Sequence, residues 1–391
     1  MAKLAALRGY YDIEIQEHPI PEPMEDGLVI KVEAACICGS DQHFVRMESV
    51  PRPGNLGHEF AGRIIAMGPR ANDAIHSYGG QLKVGDRIVA YPWITCNRCP
   101  SCLTYGEGVC GVCESGFIYG GVFTESEGPL NHDPSRYPYF KGGFGEYVHI
   151  FANTFVWKIP EEMPSKIAAL LDPCAVAVRA VEQTMTSMGG LNEGLSTTSR
   201  ALVIGAGPIG IMCGMILKTM GVEQLVISDM LDKKLEMAKE ISHADVVVNV
   251  SGMSTDERVA RINEITQGGP TIVINCANHP SSSIEGMMMV RKLGTYVEVG
   301  NAMELGANTH KSELSLANVV FSKNAHITSV VANSAKTFDR AFRLLKRYRE
   351  LPFEKLITHE FHTLDGLLPH LKMMRDEDYL KAVLTFEESG Q

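Results

Sequence analysis

The chain has 391 residues, too many for one ordinary core, and this length predicts about two domains. Its composition, 45% hydrophobic and 21% charged, is that of a globular protein, and a net charge of −10 leaves no electrostatic footprint for nucleic acid or an acidic membrane. The N-terminal MAKLAALRGYYDIEIQEH lacks an apolar run long enough for a signal peptide, and no stretch of about 18 apolar residues predicts a membrane span. Ten cysteines without a disulfide pattern point to a reducing compartment, with the cytoplasm as the expected location.

The first part reads as β-rich. YDIEIQEH, GLVIKVEAACI, AGRIIAMG and DRIVAYP are short alternating or β-branched runs separated by glycine, proline and acidic turns, without strong helical periodicity. Within this region lies CGSDQH (38–43), and some twenty residues later GHE (57–59). Cys38 and His58 offer one soft and one borderline ligand, both usual for zinc. A third ligand must come from elsewhere. Asp172 in LLDPCAV is the leading candidate, because an unpaired carboxylate in an apolar helix is costly; Glu59 is its competitor. Three protein ligands leave a fourth position for water or an alcohol. Taken singly, Cys38 also reads as a small core residue, His58 as a hydrogen-bonded core histidine and Asp172 as a helix cap.

Next comes TCNRCPSCLTYGEGVC, with Cys96, Cys99, Cys102 and Cys110 spaced C-x2-C-x2-C-x7-C. Four thiolates this close surround one tetrahedral zinc and leave it no open position; an iron–sulfur cluster is the main rival and a disulfide framework fits poorly. Cys113 falls just outside this set and reads as a packing or spare thiol. The stretch from 111 to 141 that follows is rich in aromatic residues: Phe117, Tyr119, Phe123, Tyr137, Tyr139 and Phe140. It reads as a segment that caps a substrate cleft or reaches a neighbouring subunit, or as a surface loop with its own small core.

SKIAALLDPCAVAVRAVEQT predicts a buried helix interrupted at Pro173. A polar stretch, MGGLNEGLSTTS, precedes strict alternation: strand ALVIGAG, helix PIGIMCGMILKTMG, strand QLVISD, helix DKKLEMAKEIS, strand DVVVNV, helix DERVARINEIT, strand TIVINCA, helix SSIEGMMMVRKL and strand GTYVEVG. Such alternation implies a parallel, doubly wound sheet. GAGPIG supplies Gly205, Gly207, Pro208, Ile209 and Gly210 between a strand and a helix, the context in which G-x-G-x-x-G holds a dinucleotide pyrophosphate. Asp229 lies 24 residues after Gly205, at the end of the next strand, where it accepts from ribose hydroxyls and repels a 2′-phosphate; NAD is therefore favoured over NADP. Lys234, counted with the cofactor-binding residues, and Lys233 beside it are the features that argue the other way. After 333 come a helix, SAKTFDRAFRLLKRYRE, the segment ITHEFHTL, another helix and a closing strand, KAVLTF, expected to return to the first domain.

Together these motifs resemble the zinc-containing medium-chain alcohol dehydrogenase superfamily over essentially the whole chain. CGSDQH is similar to its catalytic cysteine motif, GHEFAGRIIAMG to its signature with Gly62 and Gly68, VGDRIV (84–89) to the strand before its four-cysteine lobe, and GGFGEYV (142–148) to its return strand. The resemblance implies an α/β protein: a GroES-like β-rich catalytic domain from residues 1–174 and 333–391, carrying a structural zinc lobe at about 94–113, and a Rossmann NAD-binding domain of 175–332. It implies two zinc ions per chain, one catalytic at Cys38, His58 and Asp172 and one structural, with NAD as the second cofactor. Glu59 would stand behind the catalytic zinc and exchange in as a ligand, Asp41 would orient His58, and Cys174 would not be a ligand. Ser40 would take the alcohol proton and His43 pass it to solvent.

Aspartate at 172 looks more like the formaldehyde dehydrogenase and dismutase branch than the liver-type or polyol enzymes, which have cysteine and glutamate there. The stretch 71–83 looks like an insertion. The implied activity is hydride transfer between an alcohol, secondary or polyol type favoured, and NAD. Alternatives are a nicotinoprotein that keeps NAD bound and dismutates aldehydes, and a non-catalytic NAD-binding sensor. The implied partners are a small-molecule alcohol or carbonyl substrate and further copies of the chain in a homodimer or homotetramer.

Overall fold

A computed structural model describes residues 1–47, 53–106, 113–122, 130–185, 194–300, 315–319 and 321–386. The chain divides into two compact units, Met1–Asp172 with Asn333–Gln391, and Pro173–Ala332.

The first unit is built on β-strands. Ala2–Gly9 pairs antiparallel with Asp12–His18 and with Gly54–Asn55. Among the described residues the larger sheet runs Ile357–Phe361, Lys381–Thr385, Leu28–Cys36, Glu59–Met67, Arg87–Ala90, Phe155–Lys158, His76–Tyr78, with Tyr147–Ile150 also on Leu28–Cys36. Leu28–Cys36 has three strand neighbours, which is why LVIKVEAAC is buried almost throughout rather than alternating. Lys381–Thr385 lies antiparallel on it with Val383 opposite Cys36, so the end of the chain is stitched beside the start of CGSDQH.

The helices of this unit are short. Gly39–Val45, Ala71–Ala74 and Pro100–Tyr105 are below the length at which apolar periodicity is readable. The stretch 71–83, expected as an insertion, adds structure to the sheet: His76–Tyr78 pairs parallel with Phe155–Lys158 as an edge strand. The Ala-rich helix expected to break at Pro173 breaks earlier, into Ser165–Ala168 and Leu171–Gln183. Pro173 sits in the first turn of the second helix, where its missing N–H has no intrahelical partner to lose. Asp172 thereby becomes the acidic residue of that turn.

The second unit is a parallel sheet in the order Val246–Asn249, Gln224–Asp229, Arg200–Ile204, Ile272–Asn275, Thr295–Glu298, His326–Ser329. The order turns back on itself between Arg200–Ile204 and Ile272–Asn275, and ligands bind at the carboxyl ends of strands at such a switch point. Leu202, Val226, Val248, Val273 and Tyr296 form its core with Ile262 and Met289 of the covering helices. The helix expected through Leu293 stops at Met289, where the Lys323 ammonium donates to the carbonyls of Met287, Met288 and Val290 and caps the helix end.

Candidate functional site: a metal centre and a dinucleotide cradle

Cys38 follows the strand Leu28–Cys36 and is the cap of the helix Gly39–Val45, with extended backbone. Its own N–H donates to Asp41 Oδ2 at 2.8 Å, which fixes the turn that presents the thiol. His58 immediately precedes the strand Glu59–Met67 and is buried. Gly57 before it has φ +92°, and a Cβ there would lie 2.8 Å from the Phe144 nitrogen, so this turn accepts only glycine.

One ligand atom each of Cys38, His58 and Glu59 lies within 4.8 Å of the others. Ser40 Oγ is 3.5 Å from His58 Nε2, and Asp41 Oδ1 is 3.9 Å from His58 Nδ1, facing the ring from its other side. Burial works against a charged His58, but the neighbouring Cys38, Asp41 and Asp172 outweigh it and hold its pKa well above the ordinary value. Burial raises the Asp41 carboxyl, opposed by His58. Burial also lifts Asp172 to about 6, and its Oδ1 accepts a long hydrogen bond, 3.4 Å, from Asn333 Nδ2. Asp172 stands in the electrostatic field of His58, Glu59 and Lys381 but outside the 4.8 Å group, where Glu59 stands instead. His43 is exposed on the last turn of its helix.

This donor set fits zinc: a thiol, an imidazole and a carboxylate converge with their ligand atoms within 4.8 Å of one another. Sequence reasoning missed Lys381. Its buried ammonium sits 2.7 and 2.6 Å from the two oxygens of Glu59, 322 residues away in the chain. The signal was a lysine opening the apolar strand KAVLT, which at a buried position requires a counter-charge.

The cysteine lobe brings a further thiol to the expected set. Cys113, expected to be spare, groups with Cys96, Cys99 and Cys102 with all thiols within 4.8 Å, and its Sγ accepts from the Cys96 N–H at 3.3 Å. Cys110, expected as the fourth ligand, lies outside the described residues, as does Phe123. The spacing C-x2-C-x2-C fixes three positions on one turn and the helix Pro100–Tyr105, but a returning loop can bring either later thiol to the fourth. Backbone N–H groups of Cys99 and Cys102 donate to the sulfurs of Cys96 and Cys99, and the Arg98 N–H is the leading cause that draws the Cys96 thiol down to about 6. These are the features of a closed thiolate site.

In the second unit the glycine loop joins Arg200–Ile204 to the helix Pro208–Thr219, with Gly207 as its cap. A Cβ on Gly210 would sit 2.0 Å from the Gly205 oxygen, so only glycine allows the helix this close to the strand. Pro208 and Ile209 open the helix. Asp229 Oδ2 accepts from the Ala206 N–H at 2.7 Å, and Oδ1 from the N–H groups of Met230 and Leu231, which fixes the carboxylate against the glycine loop. Lys234 is half-buried in the next helix, Asp232–Ser242. Asp229→Ala is expected to weaken NAD binding by roughly ten- to a hundredfold and NADP binding less, since the lost carboxylate repels a 2′-phosphate. Calorimetric titration with both nucleotides checks this; an unchanged preference would remove Asp229 from the ribose site.

Two family models match. The alcohol dehydrogenase GroES-like domain covers residues 24–161, and the zinc-binding dehydrogenase domain covers 208–347. The chain is 30% identical over 384 residues to the starvation-sensing protein RspB of Escherichia coli, covering 96% of this chain and 97% of that protein. It is 25% identical over 374 residues to a sorbitol dehydrogenase of Bombyx mori, 91% of each. The crystal structure of an alcohol dehydrogenase from Thermotoga maritima superposes with a TM-score of 0.82 at 25% identity, covering 99% of both chains. The chain belongs to the zinc-binding medium-chain dehydrogenase/reductase superfamily. It is an NAD-dependent zinc oxidoreductase of the alcohol dehydrogenase class, with one metal site for chemistry and one for structure.

Proposed function

We propose that the protein oxidises a secondary alcohol or polyol to the ketone or aldehyde with NAD, using Cys38 and His58, with Asp172 and Glu59 as alternating carboxylates, to hold the catalytic zinc. The observation that carries this reading is the convergence of a thiol, an imidazole and a carboxylate, with a second carboxylate in the same electrostatic neighbourhood. Names such as sorbitol dehydrogenase and D-xylulose reductase among the relatives support the polyol class. Zinc held there supplies Lewis acidity that lowers the pKa of an alcohol.

Ser40, whose hydroxyl is 3.5 Å from His58 Nε2, takes the alcohol proton, and His43, exposed on the same helix, releases it to solvent. Asp41 orients His58 from its Nδ1 side. Asp229 selects the unphosphorylated ribose, and the N-terminus of the helix Pro208–Thr219, with Lys234 nearby, faces the phosphates. The thiols of Cys96, Cys99 and Cys102 hold the structural zinc, completed by Cys113 or Cys110.

The assembly we favour is a homodimer or homotetramer. His326–Ser329 is an edge strand of the parallel sheet, and Phe321, Ile327 and Val331 near it are exposed, which suits pairing with a second copy. The described cysteines are all free, which supports a cytoplasmic location, and among the described residues no helix is long and apolar enough to cross a membrane.

The test is a panel of primary alcohols, cyclic secondary alcohols and sugar alcohols read at the NADH band, with metal analysis alongside. Turnover of polyols with added NAD and about two zinc per chain supports the reading. A rise at the NADH band of about one equivalent per chain on adding alcohol without NAD would make the protein a nicotinoprotein, and one zinc or none would remove the catalytic metal.

A further inference from the structure

Asn55 carries a role that follows from its bonds. It is buried, three residues before His58, and fills its full hydrogen-bonding capacity across separate segments. Its Oδ1 accepts from the N–H groups of Lys141 and Gly142 at 3.2 and 2.9 Å. Its Nδ2 donates to the carbonyls of Ala5 and Phe144 at 3.2 and 3.0 Å. One of these segments, 141–144, then touches the turn before His58: Gly143 N–H donates to Gly57 O at 2.6 Å and Phe144 N–H to Leu56 O at 3.0 Å. Gly120 closes the other side, where a Cβ would lie 2.5 Å from the Gly57 carbonyl carbon.

The 141–144 segment is itself tethered. The Lys141 ammonium, buried, donates to Asn131 Oδ1 at 2.9 Å and to Asp133 O at 3.0 Å. The backbone that delivers His58 is therefore braced by a strip held by the Asn55 amide on one side and the Lys141 ammonium on the other. An apolar residue at 55 would leave two N–H groups and two carbonyls without that partner.

We propose that Asn55 is a positioning residue for the catalytic metal: it locks the 141–144 strip against the Leu56–Gly57 turn and so sets where the His58 imidazole meets the ion. The inference rests on the reading of Cys38 and His58 as ligands of that metal. Groups hydrogen-bonded directly to a metal-binding histidine typically change metal affinity about 10- to 100-fold when removed, and Asn55, which acts through the 141–144 strip, should fall at the lower end.

The experiment loads cobalt at the catalytic site while zinc stays in the cysteine lobe, and compares wild type, Asn55→Ala and Cys38→Ser. For folded Asn55→Ala we expect a shifted cobalt absorption band, release of the metal to a chelator about tenfold faster or more, and a kcat lower by about tenfold. NAD affinity should stay within about twofold, because the glycine loop belongs to the other unit. A wild-type band, release rate and kcat in Asn55→Ala would overturn the role. If Asn55→Ala does not fold, Asn55→Ser, whose single hydroxyl cannot replace the four bonds of the amide, carries the same comparison with the same two outcomes. Cys38→Ser separates the two claims. An unchanged cobalt band there would defeat the metal-site reading itself, whereas a changed band there with an unchanged one in Asn55→Ala defeats only the role of Asn55.

Discussion

Cys38→Ser is expected to remove one of two zinc equivalents and to lower kcat/KM by roughly a thousandfold or more, with the fold and NAD binding retained. The thiol is the soft member of the donor set, and serine is too weakly acidic to replace a thiolate. The cysteine lobe is a separate closed site, so its zinc should stay and serve as an internal control. Elemental analysis with steady-state kinetics checks this, and a variant that keeps both metals would move the catalytic centre elsewhere.

The carboxylate at the site is decided by a paired experiment. Asp172→Ala should release the catalytic zinc while Glu59→Gln keeps most of it, if aspartate is the resting ligand. The reverse outcome would give the position to Glu59, whose carboxylate lies within 4.8 Å of the Cys38 and His58 ligand atoms. Lys381 makes this choice physical. Its ammonium holds both oxygens of Glu59, so Glu59 reaches a metal only by loosening a buried ion pair. Breaking such a pair by removing one partner costs about 3–5 kcal/mol, because the remaining charge is stranded. Lys381→Met should therefore destabilise the metal-free protein by about that amount, and zinc should restore part of the loss by taking up the stranded carboxylate. Thermal melts with and without zinc measure both effects.

Much of this site was legible in the sequence because its chemistry is local. GAGPIG sits between a strand and a helix, CNRCPSC supplies three thiols on one turn, and CGSDQH and GHE each carry a ligand with its neighbour. The alternating strands and helices of 200–298 likewise follow from short-range apolar patterning. What the sequence left open depends on distance in the chain. Lys381 meets Glu59 through strand pairing across 322 residues, and no local pattern encodes that partner. The choice of fourth thiol depends on how a loop returns, which spacing does not fix. The helix breaks before Asp172 rather than at Pro173, because proline is tolerated in a first turn.

The aromatic segment and the strand Tyr147–Ile150 hold a pH liability. His132 and His149 are buried, and burial, with the nearby Lys141 ammonium adding to it, pushes both imidazoles down to about 4. Lys141 itself is lowered by burial to about 8, so it stays charged at neutral pH and opposes a second positive charge beside it. In the unfolded chain both histidines titrate near 6.5. No stability is lost above that value. As the pH falls below it, the unfolded state takes up protons that the folded state refuses, and stability drops until the folded imidazoles titrate near 4. Each histidine then contributes a loss of about 2 kcal/mol between pH 7 and pH 5, and about 3 kcal/mol by pH 4.

The two rings differ in what they do for the fold. His132 Nε2 donates to the Ile118 carbonyl at 2.7 Å, so replacing it forfeits a buried hydrogen bond. His149 Nε2 is buried without a hydrogen-bond partner, and its ring stacks on Phe151 at 6.1 Å between centroids. His149→Phe keeps the ring and removes the titration. Relative to wild type it should gain about 2 kcal/mol on going from pH 7 to pH 5, seen as a smaller acid shift of the denaturation midpoint. Equal acid sensitivity of variant and wild type would mean that His149 takes up its proton in the folded state as readily as in the unfolded chain.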